Sequence, residues 1–176
     1  MIEFTWPITD IANEFTKIPA ADMQGDTKRK YVFNANWGSA SASLNRLHNT
    51  FQKNKNLIID KLLESDNNHW YMSFHRNKLY ENLKLSVWPQ IDQTGFQMEW
   101  HLDHRLIFAN GVLNISENES NTDFSIDCTE NSIYYTLPGS AGTGVFWLAT
   151  ENNHHRVRPF TRDRYIIMFT LSFYEI

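Results

Sequence analysis

Apolar residues at helical spacing give way, near residue 70, to apolar residues at every second position, and that change of period organises the chain. A short strand is predicted at Ile2 to Trp6. Leu44, Leu47 and Phe51 then fall at i, i+3 and i+7, predicting a helix with Ser41 or Ser43 as its N-cap. A second helix is predicted over about 56–65, with Ile59, Leu62 and Leu63 on one side, and Asp66-Asn67-Asn68 breaks it. Beyond residue 70, Leu83, Leu85 and Val87 alternate with Lys84 and Ser86 until Pro89. Phe96, Met98, Trp100 and Leu102 alternate with Gln97, Glu99, His101 and Asp103. Further strands are predicted over 106–115, 133–137, 143–149 and 165–173. Turn signals separate them at Asn110-Gly111, at the polar run 117–122, at Pro138-Gly139 and at Glu151-Asn152-Asn153.

Helices followed by many short strands describe an α+β chain whose second half is a sandwich or barrel. The stretch 96–103 constrains it most. A strand with Phe, Met, Trp and Leu on one face would not leave that face exposed, so helices are expected to cover it. Its polar face, carrying Gln97, Glu99, His101 and Asp103, is then expected to turn into the barrel.

Composition narrows the class. The 176 residues are 41% hydrophobic and 14% aromatic, enough for a core, and their length suits one domain. Within 1–176, residues 1–90 are expected to supply helix-rich support and substrate-side segments, and 91–176 the barrel. A net charge of −4 argues against nucleic acid as the partner. Cys128 is the only cysteine, which excludes an intrachain disulfide and a thiolate metal cluster. No leader-like run and no apolar stretch of spanning length occurs, so a cytoplasmic protein without a membrane partner is expected.

Candidate chemistry sits at Trp100-His101-Leu102-Asp103. Two residues apart on a strand, His101 and Asp103 leave from the same face. A second imidazole from His154-His155 can complete two nitrogens and one carboxylate on one side of a metal, the facial arrangement of non-heme Fe(II) oxygenases. Downstream, Arg162 and Arg164 share a face by strand parity, and either supplies a charged fork for a dicarboxylate. Gln97 and Glu99 are candidate partners for the imidazoles, and Trp88, Tyr134, Tyr135 and Trp147 candidate pocket walls.

From about Gly95 to Phe173 the chain resembles the catalytic core of the 2-oxoglutarate- and Fe(II)-dependent oxygenases, nearest to small prolyl-hydroxylase-like members. The matching pieces are Trp100-His101-Leu102-Asp103, the strand Gly111 to Ile115 with its polar loop to Phe124, and Leu137-Pro138-Gly139 before Gly144 to Trp147. They continue with His155-Arg156-Val157 and Pro159, and with Arg164-Tyr165 opening the last strand. The resemblance implies a double-stranded β-helix, a jelly-roll or cupin-like barrel, with N-terminal helices packed on one sheet. It implies iron ligands His101, Asp103 and His155, and Arg164 as the anchor of the 2-oxoglutarate distal carboxylate. The implied reaction consumes dioxygen, hydroxylates a C–H bond of an amino-acid, peptidyl or other small substrate, and releases succinate and carbon dioxide. Substrate is expected to pass over a rim formed by 116–123 and about 66–82. Two other readings fit part of the pattern: a non-catalytic jelly-roll binding module, and a cupin-type metal dioxygenase that recruits His104 or His154 and does not use 2-oxoglutarate.

Overall fold

A computed structural model describes residues 1–15, 28–31, 41–65 and 76–174. The strand β1 (Ile2–Thr5) and helix α1 (Thr9–Phe15) come first, followed by β2 (Arg29–Tyr31). Three helices follow among the described residues: α2 (Ala42–Lys53), α3 (Lys55–Ser65) and α4 (Arg76–Asn82). The remainder is β3 (Lys84–Asp92), β4 (Met98–His101), β5 (Ile107–Asn114), β6 (Thr122–Ser125), β7 (Ile133–Thr136), β8 (Thr143–Leu148), β9 (His154–Val157) and β10 (Arg164–Ser172). Six strands form one antiparallel sheet in the order β1-β8-β5-β10-β3-β2, and four form a second in the order β4-β9-β6-β7. This is the α+β double-stranded β-helix, with helices on one sheet.

Two apolar layers hold it together. On the outer face of the six-stranded sheet, Leu113, Phe146, Ile167 and Phe169 pack against Leu44, Leu47, Phe51, Ile59 and Leu62 of the helices. Between the sheets, Val112, Val145, Trp147 and Ile166 meet Phe124 and Leu137. The strand period of two sends successive residues to these two layers. Of the two serines that could cap α2, Ser41 does so: its hydroxyl accepts from the Leu44 N–H at 3.0 Å. No helix among the described residues is long and apolar enough to cross a membrane.

Close packing on the outer face of the six-stranded sheet makes Gly111 hard to replace. A Cβ on Gly111 would lie 2.5 Å from the Phe146 ring, which also packs on Phe4, Phe51 and Phe169. Gly111→Ala is expected to destabilise the fold by about 1–3 kcal/mol through overpacking, measured by urea unfolding.

Four features depart from the sequence expectations. The helices cover the six-stranded sheet, not the strand carrying His101. A register shift between Met98 and His101 breaks that strand's alternation, so Met98 and His101 both line the interior. Trp100 turns outward under the Arg156 guanidinium, 4.6 Å from its ring centre, and Leu102 is 42% exposed. Strand β3 continues through Pro89 to Asp92 because β2 pairs only Gln90 to Asp92, so on that side Pro89 forfeits no ladder bond.

The third departure is β6, which lies within a stretch expected to be loop. Its polar residues are buried by pairing: Asp123 accepts from Arg156 Nε at 3.0 Å, Arg158 Nε at 2.8 Å and the Thr136 hydroxyl at 2.9 Å. The fourth is Asn110-Gly111, a turn signal in the sequence that lies in the middle of strand β5. Of the expected rim segment 66–82, residues 66–75 lie outside the described residues.

Candidate metal centre

His101 closes β4 and stands directly across from His155 on β9, the two rings 4.2 Å apart. Asp103 lies just past the end of β4, where the Trp147 indole N–H donates to its Oδ2 at 3.0 Å. Its Oδ1 is 3.7 Å from His155 Nε2. One donor atom from each of the three residues falls within 4.8 Å of the other two.

The ring orientations are set from outside. His101 Nδ1 lies 2.8 Å from the Glu99 carbonyl, and His155 Nδ1 lies 3.2 Å from the Asn153 carbonyl. A carbonyl only accepts, so each Nδ1 carries the proton and each Nε2 keeps its lone pair for the interior. Gln97 and Glu99 are exposed, and it is the Glu99 backbone, not its side chain, that orients His101. His155 is stacked on Phe124 and edged by Trp147. Burial pulls its imidazole below the ordinary histidine value, outweighing Asp103, which keeps the ring in the neutral form a metal requires.

Two nitrogens and one carboxylate on one side of a point, with backbone-fixed tautomers, fit a divalent transition metal bound facially. The other imidazoles do not join. His154 faces away from His155 along β9 and meets the Ile126 carbonyl, while His104 is exposed and accepts from the Leu106 N–H. A site of three or four imidazoles is therefore not assembled among the described residues.

A cavity of about 120 Å³ extends from these residues between the sheets. At its other end is Arg164, first residue of β10 and 5% exposed, whereas Arg162 is exposed. Arg164 Nη1 donates to the Thr122 hydroxyl at 3.1 Å. On β6, Thr122 lies two residues before Phe124, which faces His155. One strand repeat, roughly 7 Å, thus separates the Thr122 level from the His155 level. That span suits a short diacid.

Sequence reasoning missed what surrounds Arg164. Asp92, fully buried, accepts from Arg164 Nε and Nη2 at 3.1 and 2.5 Å, and from Arg29 Nε at 2.7 Å. Gln90 Nε2 adds a bond to the same carboxylate at 3.0 Å. Burial pushes the Asp92 carboxyl up, but the two guanidiniums outweigh it and hold it below the usual carboxylate range. Among the described residues the cluster sets two guanidiniums against one carboxylate, a positive balance that suits one further carboxylate. The available signal was the alternation of Trp88, Gln90 and Asp92, a polar inner face on an otherwise apolar strand. Of the suggested wall aromatics, Trp147 lines the cavity; Tyr135 instead donates to Glu3, and Tyr134 is 46% exposed and bonds Asn153.

The 116–121 loop precedes Thr122 and contacts Gly139, Pro159 and Thr161. The register places it at the Arg164 end, away from the His101 and His155 end, so it does not form the rim of the metal centre.

No protein-family model matches the sequence, and no curated protein matches it. Solved structures do match by shape. A Pseudomonas putida prolyl-4-hydroxylase superimposes with a TM-score of 0.65 at 13% identity, over 97% of this chain and 91% of that one. A Trichoplax adhaerens prolyl hydroxylase, solved with a hypoxia-inducible-factor peptide fragment, gives 0.62 at 10% identity, covering 93% and 76%. A viral collagen prolyl hydroxylase from Paramecium bursaria Chlorella virus-1, solved with 2-oxoglutarate, gives 0.60 at 11% identity, covering 99% and 96%. At these identities the likeness is one of architecture, and by architecture this chain has the double-stranded β-helix fold of the prolyl hydroxylases.

Proposed function

We propose that this protein is an Fe(II)- and 2-oxoglutarate-dependent dioxygenase that hydroxylates a C–H bond of a peptidyl or small substrate. The observation that carries the reading is the convergence of His101, Asp103 and His155 at one end of a cavity whose other end is cationic. The three residues would hold Fe(II), and Arg164, with Arg29 beside the shared Asp92, would hold the distal carboxylate of 2-oxoglutarate. Metal and cosubstrate, when bound, supply the oxidising chemistry and release succinate and carbon dioxide.

The chain's part is positioning and exclusion of water. Phe124, Leu137, Val112 and Met168 wall the space between the sheets with apolar surface, which strengthens the charge contacts at both ends. Trp147 fixes the Asp103 carboxylate against rotation. Trp147→Phe keeps the wall and deletes that bond, so metal affinity is expected to fall about tenfold, measured by Co(II) titration. Strands from both halves of the chain share one sheet, which supports a single domain.

The substrate class follows from the rim. Of the large hydrophobic residues exposed among those described, Leu102, Leu106, Ile126, Tyr134 and Tyr174 all lie at or next to strand ends on the His101 side. Exposed apolar side chains at the same end of the strands as the metal centre suit a peptide segment better than a free charged metabolite. The peptide held by the Trichoplax structure is in keeping with this.

A second reading rests on Asp92. Because that carboxylate already engages Arg164, the pocket could hold a ligand without chemistry. Incubation with Fe(II), 2-oxoglutarate and proline-bearing peptides separates the two. Metal-dependent succinate release, stimulated by a peptide, is the expected result. Folded, metal-loaded protein that forms no succinate would favour the binding module.

A further inference from the structure

Asn110 lies on β5, lines the cavity and is 6% exposed. Its Oδ1 accepts the Thr170 hydroxyl from β10 at 2.6 Å, which leaves Nδ2 as the amide atom on the cavity side. No protein acceptor meets its Nδ2 among the described residues, although that nitrogen is not sealed off from the cavity. A buried amide donor without a partner is a standing cost that an apolar residue such as the nearby Val112 would avoid.

Its position gives the donor a purpose. On the β5–β8 ladder Asn110 pairs with Trp147, the residue whose indole holds Asp103. On the β5–β10 ladder Asn110, Val112 and Asn114 pair with Thr170, Met168 and Ile166, so Arg164 lies beyond the far end of that series. Nδ2 therefore belongs to the metal end of the cavity, and there the other donors are engaged. The Trp147 N–H goes to Asp103, and the Nδ1 protons of His101 and His155 go to carbonyls. A carboxylate bound to a metal through one oxygen has a second, charged oxygen that needs a donor.

We propose that Asn110 is a cosubstrate-binding residue whose Nδ2 donates to the metal-side carboxylate of a bound 2-oxo acid, fixing its orientation in the metal's open positions. The proposal rests on the dioxygenase reading and is built so that the two can fail separately. The full chain is loaded with Co(II), whose affinity is read from its visible absorption, and 2-oxoglutarate binding is then measured by calorimetry.

Asn110→Leu keeps the branched outline and removes the donor, together with the acceptor of the Thr170 hydroxyl. It is expected to bind Co(II) as the unmodified protein does and 2-oxoglutarate at least about tenfold more weakly, as loss of a bond to a charged acceptor implies. Asn110→Asp keeps the Thr170 contact and puts an anion where the donor was. It is expected to hold Co(II) more tightly while losing still more 2-oxoglutarate affinity, opposite signs that a general loosening of the fold would not produce. Unchanged 2-oxoglutarate affinity in Asn110→Leu overturns the role of Asn110 and leaves the function standing. If that variant does not fold, Asn110→Ser, which lacks the amide donor and has a shorter side chain, is judged by the same criterion. Unmodified protein that binds Co(II) but no 2-oxoglutarate overturns the function itself, and the Asn110 role with it.

Discussion

Alanine at His101 or Asp103 is expected to reduce metal-dependent turnover to background while leaving the fold nearly intact. Each supplies one of three donor atoms, and two remaining protein ligands hold a divalent ion far more weakly. His101 is half-buried, and the Asp103 side chain, though only 11% exposed, faces the cavity and belongs to no apolar cluster, so neither removal opens a hole in the core. Asp103→Ala also strands the Trp147 N–H, a loss of about 1–3 kcal/mol. His155→Ala is the less clean test, because that ring is buried against Phe124. Added metal should raise the melting temperature of the unmodified protein and not that of the variants. A variant that still unfolds cooperatively, ignores metal and makes no product satisfies the expectation, with Asp103→Ala melting a few degrees lower for its stranded indole N–H; Asp103→Ala with full iron-dependent activity would falsify it.

Asp92→Asn is expected to have the largest effect on stability. The carboxylate is fully buried and bonds two guanidiniums, so its loss strips the buried Arg164 of its carboxylate and removes the bonds that tie the half-buried Arg29 to the same point. Breaking a buried pair in this way destabilises by about 3–5 kcal/mol. For a chain of this size that is a fall in melting temperature on the order of 10 °C. The same change removes one negative charge from beside the guanidiniums, so 2-oxoglutarate or glutarate should recover more stability in the variant than in the parent. The pH dependence has a defined sign. Because the folded-state Asp92 carboxyl lies below its ordinary value, its contribution is fully present above the usual carboxylate range near 4 and is lost as pH falls through the folded value. Asp92→Asn should flatten the acid limb of the stability profile. Equal melting temperatures for parent and variant would mean that the cluster is not what holds β2, β3 and β10 together.

The architecture was legible in the sequence because each half carries one clean period. Leu44, Leu47 and Phe51 mark a buried helix face, and the alternating strands after residue 83 mark a two-sided sheet. His101 and Asp103 could be paired from local spacing, and Arg164 stands out once β10 is seen to start there, with Arg162 left outside in water. What was not legible depends on distant partners. Arg29 and Arg164 reach Asp92 across 63 and 72 residues, and no local pattern announces such a contact. Buried polar strands mislead in the same way: Thr122 and Asp123 have the composition of a loop and become strand only because Arg164, Arg156 and Arg158 meet them. The register shift between Met98 and His101 defeats parity outright, since one extra residue reverses which face every later side chain takes.

Anaerobic addition of Fe(II) and then 2-oxoglutarate to the purified chain, followed by visible absorption, tests the central claim most directly. If His101, Asp103 and His155 hold the metal and the cationic end holds the far carboxylate, a metal-to-ligand charge-transfer band should appear only when both are present, saturate at one equivalent of each, and be absent in Asp103→Ala. Folded protein that takes up one equivalent of Fe(II) and shows no such band with 2-oxoglutarate would contradict the account.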